Sequence, residues 1–274
     1  MLKIQDNLAV HYEREGYAAP LRALDPGTAR GYRAALELHE ARHGSLSKPH
    51  RNNPHLLFGW ADRLIREPKI LSAVSALLGD NLLVWGSTLF IKEPHDPGFI
   101  SWHQDSTYWG LDPADVVTAW VALTDSRMDN GALCVLPKSH KMDQMPHRDT
   151  FAETNMLSRG QEIAVEVNPD ETVALELEPG EMSLHHVRMV HGSGPNGSDR
   201  RRIGFAIRYL PTHVRQVSGQ SDTATLVQGI DAFQNFGPER RPEQDFGEAE
   251  RAFHAEIERL QHSIILNGPG ADAR

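Results

Sequence analysis

Cysteine is nearly absent from this chain of 274 residues, which contains only Cys134. A single thiol excludes an intrachain disulfide and agrees with a reducing compartment. Long apolar runs are also missing, because none approaches the roughly 20 residues of a membrane-spanning helix. The first residues lack the apolar core of a signal peptide. We therefore expect a cytoplasmic protein with no membrane partner, in which Cys134 acts as a small buried hydrophobic residue.

Positive charge is in deficit, with 28 Lys and Arg against 37 Asp and Glu and a net charge of −9. This balance argues against nucleic acid or an anionic membrane as a partner. Hydrophobic residues make up 39% and charged residues 24%, which is typical of a globular protein with a sizeable core. Repeats, low-complexity tracts and a linker are not evident. We predict a single domain over 1–274.

Start and stop signals for helices dominate the first 80 residues, which we predict to be a helical N-terminal scaffold. Asp25 followed by Pro26 is typical of a helix start, and this helix is predicted to run to about Arg42. Asn53-Pro54 and Pro68 are read in the same way, and Gly79 fits a C-terminal cap. The predicted helices cover 8–17, 26–42, a stretch from 53, and 68–78.

From residue 81 the pattern changes to short runs rich in β-branched and aromatic residues, which predict strands. The predicted strands are 82–92, 99–104, 116–123, 132–136, the pair 163–167 and 172–177, then 182–190 and 203–210. Many short strands separated by turns favour a mainly β sandwich or barrel with flanking helices. The core is predicted over 81–215. The polar segment 141–160 is either a lid over a site or a disordered insertion.

The C-terminal part, 216–274, is predicted to be an extension with one amphipathic helix over 246–266. That helix packs either on the sheet or on a second subunit, so a homo-oligomer is possible. Residues 268–274 are predicted to be a frayed end.

A metal site is predicted at His103 and Asp105. Residues two apart on an extended strand point to the same side, so an imidazole and a carboxylate can converge on one ion. His191 is the best third ligand, because it ends an apolar run and opens a glycine-rich turn. Two His and one carboxylate leave about half of an octahedral metal open, as in non-heme Fe(II) oxygenases. His185 and His186 compete for this role, but His186 points to the opposite face of the predicted strand, and we interpret His185 as a satisfied core histidine.

An ordered set of motifs extends this pattern from about Leu82 to Pro211. It consists of His103-Gln104-Asp105, Trp120, Leu136-Pro137-Lys138-Ser139-His140, His191-Gly192-Ser193-Gly194 and Arg202. In this set the chain resembles the phytanoyl-CoA hydroxylase-like (PhyH) family of Fe(II)/2-oxoglutarate-dependent dioxygenases. The resemblance implies a double-stranded β-helix, the cupin-like jelly roll, as the core. It also implies Fe(II), 2-oxoglutarate and O2 as the reacting partners, with succinate and CO2 as co-products. The expected reaction is hydroxylation of an unactivated C–H bond of a small molecule.

The resemblance also assigns residues to 2-oxoglutarate. Arg202 follows His191 by the family's eleven residues, and its planar guanidinium suits the distal carboxylate. Strand alternation puts Arg202, Gly204, Ala206 and Arg208 on one face, where the small residues leave room for a ligand. Further cofactor positions implied by the resemblance are Ser193, Thr88, Gln104 and Trp120. Trp120 is equally readable as a core aromatic.

Substrate residues are less well marked by the sequence. Tyr108 and Trp109 follow the first two ligands and are predicted to line the entrance, and Arg208 is a candidate for pairing with a substrate anion. Lys92 and His95 are open candidates. A CoA thioester is not expected, because no adenine-nucleotide motif is evident.

Asp105 favours hydroxylation over chlorination, since related halogenases have a small residue at this position. Two other functions stay open: a non-redox cupin-like module that binds a metal or a sugar, and a metal-dependent isomerase. The carboxylate anchor predicted at Arg202 discriminates against the non-redox module, which has no need of it.

Overall fold

The computed structural model describes residues 8–267. The predicted frayed end and the first seven residues of the predicted scaffold lie outside the described residues. The α-helices are α1 (Leu8–Glu15), α2 (Pro26–His43), α3 (Gly59–Leu64), α4 (Pro68–Leu78), α5 (Ser106–Trp109) and α6 (Glu248–Asn267). The described part of the chain contains no helix that is both long and apolar enough to cross a lipid bilayer.

Within residues 8–267, fifteen strands follow in chain order. They are β1 (Tyr17–Arg22), β2 (Leu82–Lys92), β3 (Ile100–His103), β4 (Leu111–Asp112), β5 (Val117–Ala122), β6 (Leu133–Val135), β7 (His147–Asp149), β8 (Gln161–Ile163), β9 (Val173–Leu175), β10 (Glu181–His186), β11 (His191–Ser193), β12 (Arg202–Pro211), β13 (Arg215–Gln216), β14 (Thr223–Gln228) and β15 (Gly237–Pro238).

Two sheets build the predicted jelly roll. The major sheet has the order β1-β10-β5-β12-β2-β14-β15, and the minor sheet has the order β3-β11-β6-β9. Short β4–β13 and β7–β8 pairs accompany them. The fold class predicted from the sequence, mainly β with flanking helices, is confirmed.

The outer face of the major sheet carries the main hydrophobic core. On β12 the side chains of Ile203, Phe205, Ile207 and Tyr209 are fully buried. They belong to one cluster with apolar residues of the helices, namely Leu36, Leu57, Trp60, Ile65, Ile70 and Val74. Burying each large apolar side chain contributes about 1.5–3 kcal/mol. The alternate β12 residues, beginning with Arg202, lie on the other face of the sheet, as strand alternation predicts.

The predicted ends of two helices are confirmed. The Asp25 carboxylate accepts hydrogen bonds from the backbone N–H groups of Gly27 and Thr28, so α2 begins as expected. Gly79 ends α4 with a φ of 86° and donates its N–H to the Ser75 carbonyl.

The helical prediction is wrong in two places. Tyr17–Arg22 forms β1 at the edge of the major sheet, where it pairs with β10. Asn53 has a φ of 43° and starts a short 3-10 turn rather than a long helix. Its side chain bonds to residues of β2 and α6 instead of capping. In both places partners that are distant in the sequence decide the local structure.

The predicted strand 182–190 is also wrong in extent. β10 ends at His186, and His191 starts a new strand in the other sheet. The expected 163–167/172–177 hairpin does not form, since β8 pairs with β7 and β9 pairs with β6. β14, in a region predicted to lack core strands, pairs with β2.

Candidate metal centre

His103 and His191 face each other across a strand pair. β3 and β11 are antiparallel neighbours in the minor sheet, and the register places His191 directly opposite His103. Their ring centroids are 4.1 Å apart, and both side chains are almost fully buried. The structure therefore brings together two predicted ligands that are 88 positions apart in the sequence.

Asp105 reaches the same point by a different route from the one the sequence suggested. The strand ends at His103, and Asp105 has helical backbone angles (φ −62°, ψ −36°) at the start of α5. Its Oδ1 lies 3.2 Å from His103 Nε2, and its Oδ2 lies 3.9 Å from His191 Nε2. One potential ligand atom from each of the three residues lies within 4.8 Å of the others. The expected grouping is present, although strand alternation does not produce it.

Backbone carbonyls fix the orientation of both imidazoles. The Nδ1 atom of His103 is 2.9 Å from the Ser101 oxygen, and that of His191 is 2.9 Å from the Met189 oxygen. A carbonyl oxygen can only accept, so each Nδ1 carries a proton and the Nε2 atom of each ring faces the site. Such bonds are the usual outer support of metal-binding histidines.

The protonation states suit a cation. The pKa of His191 is lowered to about 4, mainly by burial and to a lesser extent by the neighbouring His103, so its ring is neutral at pH 7. Burial raises the pKa of the Asp105 carboxyl, but the two imidazoles and Arg208 outweigh this and hold it below its ordinary value. His103 Nε2 and Asp105 Oδ1 lie 3.2 Å apart, so one cation can contact both atoms. The three residues fit a divalent metal such as iron.

Arg202 supplies an unpaired cation in the same cavity. The cavity that is lined by the three residues above is also lined by Arg202, Trp120 and Ser193. Arg202 is 1% exposed, and the Nε and Nη2 atoms of its guanidinium have no hydrogen-bond partner among the described residues. A buried, unmatched guanidinium needs an anion, and a carboxylate matches its planar geometry.

Lys92 adds a second buried cation beside Arg202. The two residues are paired across β2 and β12. The pKa of Lys92 is lowered to about 7, mainly by burial and to a lesser extent by the charge of Arg202. The Lys92 ammonium donates to the Ser193 hydroxyl at 2.7 Å and to the Gly194 carbonyl. Lys92 therefore lies behind Arg202 and Ser193 and does not itself line the cavity, so the structure does not support the substrate role that was left open for it.

Trp120 and Gly204 shape the space around the guanidinium. The Arg202 Cζ atom lies 5.3 Å from the centroid of the Trp120 ring. A Cβ atom at position 204 would overlap that ring. The glycine thus makes room for the indole, and the expectation that it makes room for a ligand is corrected.

Two further polar atoms in this cavity lack partners in the described part of the chain, Thr118 Oγ1 and His185 Nδ1. His185 lies opposite Thr118 across β10 and β5, and its ring centroid is 4.8 Å from that of His191. The interpretation of His185 as a satisfied core histidine is wrong in this respect. Buried polar groups without partners are costly, so a polar ligand such as 2-oxoglutarate fits here. Thr118 was not singled out from the sequence, although strand alternation places it on the same face as Trp120.

Ser193 and Thr88, which were also predicted to contact the cofactor, have other hydrogen-bond partners in the structure. The Ser193 hydroxyl lines the cavity, but it already donates to the Gly131 carbonyl at 2.7 Å. A hydroxyl has one proton, so Ser193 cannot also donate to a carboxylate without breaking that bond. Thr88 accepts from Arg208 Nη1 at 2.6 Å and faces a neighbouring cavity.

Gln104 lies outside the cavity, contrary to the expectation that it contacts the cofactor. Its Nε2 donates to the Arg188 carbonyl at 2.9 Å. Its Oε1 accepts from Gln144 Nε2 and from the Met145 backbone, both at 2.8 Å. Gln104 therefore ties the segment 141–160 to the ligand-bearing turn.

A second cavity adjoins the metal centre and shares Asp105 and Arg208 with it. The Trp109 ring lines this cavity, and Arg208 Cζ lies 5.5 Å from its centroid. Tyr108 does not line it, and its hydroxyl donates to Asp149 at 3.2 Å. Exposed His95 bonds to Asp199 and lies outside both cavities.

The segment 141–160 covers this region rather than leaving it open. It runs into the β7–β8 hairpin, and Met156, Leu157 and Ser158 line the second cavity. Arg159 donates to Asp149 and to the Ile265 and Leu266 carbonyls at the end of α6. Of the two interpretations left open for this segment, the structure favours the lid.

Comparisons with known proteins agree with this geometry. Residues 4–204 match the profile of the family described as Phytanoyl-CoA dioxygenase (PhyH). The chain belongs to the phytanoyl-CoA dioxygenase family. The resemblance drawn from the sequence motifs is thereby confirmed, and this family comprises iron- and 2-oxoglutarate-dependent oxygenases.

Two curated relatives show how far the likeness extends. A probable alpha-ketoglutarate-dependent hypophosphite dioxygenase of Stutzerimonas stutzeri is 34% identical over 62% of this chain and 60% of its own length. The peroxisomal phytanoyl-CoA dioxygenase of Homo sapiens is 31% identical over 63% of this chain and 53% of its own length. The chain thus matches less than two thirds of either relative.

A solved structure of a non-heme monooxygenase, ThoJ in its apo form, superposes with a TM-score of 0.82. It is 35% identical, and the match covers 94% of this chain and 97% of that one. More distant neighbours include the epimerase SnoN (21% identical, TM-score 0.64), which shares the fold of the PhyH chain described here.

Proposed function

We propose that this protein is an Fe(II)/2-oxoglutarate-dependent dioxygenase that hydroxylates an unactivated C–H bond of a small-molecule metabolite. In the overall reaction, 2-oxoglutarate, O2 and R–H give succinate, CO2 and R–OH. One oxygen atom of O2 enters succinate and the other enters the product. The segment 1–274 acts in this proposal as a single dioxygenase domain.

The observation that carries the proposal is the pairing of two features in one cavity. His103, Asp105 and His191 offer three ligand atoms within 4.8 Å of one another. The guanidinium of Arg202, buried and without a partner in the described residues, lines the same space. A metal-binding module without redox activity has no use for a buried carboxylate anchor. The combination therefore supports a 2-oxoglutarate oxygenase over the module.

Each residue has a defined task in the proposed reaction. When bound, iron supplies the activation of O2, which is coupled to the oxidative decarboxylation of 2-oxoglutarate. His103, Asp105 and His191 would hold the iron through three ligand atoms, which would leave further coordination positions for the co-substrates. Arg202, with Lys92 behind it, binds the distal carboxylate of 2-oxoglutarate and thereby orients the molecule toward the three ligands. The segment 141–160 excludes water while the reaction proceeds.

The test begins with anaerobic protein, Fe(II) and 2-oxoglutarate, for which a weak visible charge-transfer band is expected. Admission of O2 should then give slow succinate release in the absence of a primary substrate. If no band appears and zinc binds in place of iron, the non-redox module replaces the oxygenase. Product analysis by mass spectrometry separates hydroxylation (+16 Da) from an epimerisation, which leaves the mass unchanged.

A further inference from the structure

We infer that the primary substrate is a small zwitterion, with an oxyanion that binds Arg208 and an ammonium group that faces Glu258. This inference rests on the proposed function, because it names the class of substrate that the same site accepts. It concerns the cavity next to the metal centre, where neither of these charged side chains forms a direct ion pair with another of the described residues.

Arg208 is anchored but not neutralised. It lies on the inner face of β12, and its Nη1 donates to the Thr88 hydroxyl at 2.6 Å. Its Nε atom is shielded from solvent and has no partner in the part of the chain that the structure describes. Between residues 8 and 266, no carboxylate oxygen lies within 4.0 Å of this guanidinium. Asp105 has the largest charge effect on Arg208 and Glu258 has the next largest, and Asp105 is one of the three candidate metal ligands.

Glu258 of α6 is the opposite charge in the same cavity. Its two carboxylate oxygens accept hydrogen bonds from Asn53 Nδ2 at 2.9 Å and from Asn52 Nδ2 at 3.2 Å. These amides orient the carboxylate without neutralising it, and two oxygens have room for further donors. Within the described residues no Lys, Arg or His nitrogen lies within 4.0 Å of it.

The hydrogen-bond network holds the two charges in fixed positions. Arg208 bonds to Thr88, Thr88 donates to Asn52 at 3.4 Å, and Asn52 donates to Glu258. Gln261, which accepts from Asn53 at 2.7 Å, holds the far side of the network. Both charges line one cavity, yet they lie more than 4.0 Å apart.

Charge complementarity then selects the ligand class. A cavity that holds one unmatched cation and one unmatched anion is best neutralised by a molecule that carries both signs. A neutral apolar ligand would leave both charges buried and unpaired, and a lone anion would leave Glu258 unpaired. The oxyanion end binds next to Arg208, which shares the cavity wall with Asp105, so the C–H bonds close to that end face the metal.

The test compares matched compounds on the intact protein loaded with Fe(II) and 2-oxoglutarate. The probes are the twenty proteinogenic amino acids and glycine betaine, with the methyl ester and the N-acetyl derivative of each amino acid. Thermal unfolding under anaerobic conditions reports binding, and succinate release in air reports turnover. We expect a subset of the zwitterions to raise the Tm and to stimulate succinate release, whereas their esters and N-acetyl derivatives do neither.

Variants assign the two ends of the ligand. Arg208→Gln should weaken binding of the responding zwitterion by about 30-fold or more, because the oxyanion loses its positively charged partner. Arg208→Lys keeps the charge and should recover part of that loss. Glu258→Gln is isosteric and should remove the discrimination between the free amino acid and its N-acetyl derivative. Arg200→Gln, at an exposed arginine that pairs with Asp129, is the matched control and should behave as the wild type.

Three outcomes overturn the inference: no zwitterion responds, a neutral or singly charged analogue responds as strongly, or Arg208→Gln and Glu258→Gln both retain wild-type affinity and selectivity. Failure of the proposed function has a different signature. In that case succinate release is absent with every compound, while the Tm measurements on protein loaded with Zn(II) still report whether zwitterions bind.

Discussion

The two walls of the active-site cavity differ in how completely their polar groups are satisfied. On the minor-sheet wall, His103 and His191 each give their Nδ1 proton to a backbone carbonyl. On the major-sheet wall, four side chains each leave a buried polar atom without a partner among the described residues, namely Thr118, His185, Arg202 and Arg208. Each such atom costs about 1–3 kcal/mol. The metal-binding wall is therefore organised before anything binds, whereas the opposite wall is completed by its ligands.

The largest expected effect comes from breaking the organised wall. His103→Ala or Asp105→Ala should abolish 2-oxoglutarate-dependent succinate release, because two remaining ligands cannot hold iron in place. The fold should survive, since neither side chain belongs to the hydrophobic core clusters. Succinate assays together with thermal unfolding measure both properties. His95→Ala, at an exposed histidine, is the control. Wild-type succinate release in either variant at the centre would refute the ligand assignment.

Breaking the ligand-dependent wall should give a smaller and more selective loss. Arg202→Ala should weaken 2-oxoglutarate binding by about 30-fold or more, because the distal carboxylate loses its charged partner. Iron binding should change far less, since the guanidinium is not among the potential ligands. Titrations of the charge-transfer band with iron and with 2-oxoglutarate separate the two constants. Equal losses in both would indicate a folding role for Arg202.

The sequence predicts the centre of the site better than its surroundings, for a physical reason. His103 and Asp105 are neighbours in the chain, and the face shared by Arg202 and Arg208 follows from strand alternation alone. The Asn53–Glu258 bond joins residues 205 positions apart. No periodicity in either segment encodes a contact between a loop and a helix at such a separation.

Edge strands show the same limit. β1 is six residues long and contains a proline, so its local pattern does not identify a strand. Its extended conformation comes from backbone hydrogen bonds to β10, more than 150 positions away. A contact between distant residues also decides the position of Tyr108. This residue was expected to line the entrance, but its hydroxyl bonds to Asp149.

Packing on the major-sheet wall can be tested without touching a charge. Gly204→Ala should destabilise the protein by about 1–3 kcal/mol, because the new methyl group overlaps the Trp120 ring. Thermal unfolding should show a fall in Tm of about 2–4 °C for each kcal/mol. Gly31→Ala is the matched control, because a Cβ atom added at this position of α2 would meet no atom within 4 Å beyond the adjoining helix backbone. That variant should be stabilised by about 0.5–1 kcal/mol, because alanine favours the helix. Similar Tm changes of the same sign in both variants would exclude a specific role for the close contact.

The smallest expected effect is a pH dependence at Lys92. Burial and the adjacent Arg202 lower its pKa to about 7 in the free protein. A bound carboxylate favours the ammonium form and raises that pKa, so binding of 2-oxoglutarate takes up a proton wherever Lys92 was neutral. The affinity for 2-oxoglutarate should therefore be highest below pH 7. Above pH 7 it should fall by up to about tenfold for each pH unit.

Calorimetric titration of 2-oxoglutarate between pH 6 and 9, in two buffers of different ionisation enthalpy, measures both the affinity and the proton uptake. Lys92→Met removes the titrating group and should give weaker but pH-independent binding over this range. Lys48→Met, at an exposed lysine, is the control and should keep the wild-type profile. An unchanged pH slope in Lys92→Met would assign the dependence to another group, and the ligand-dependent wall would then hold its co-substrate through Arg202 alone.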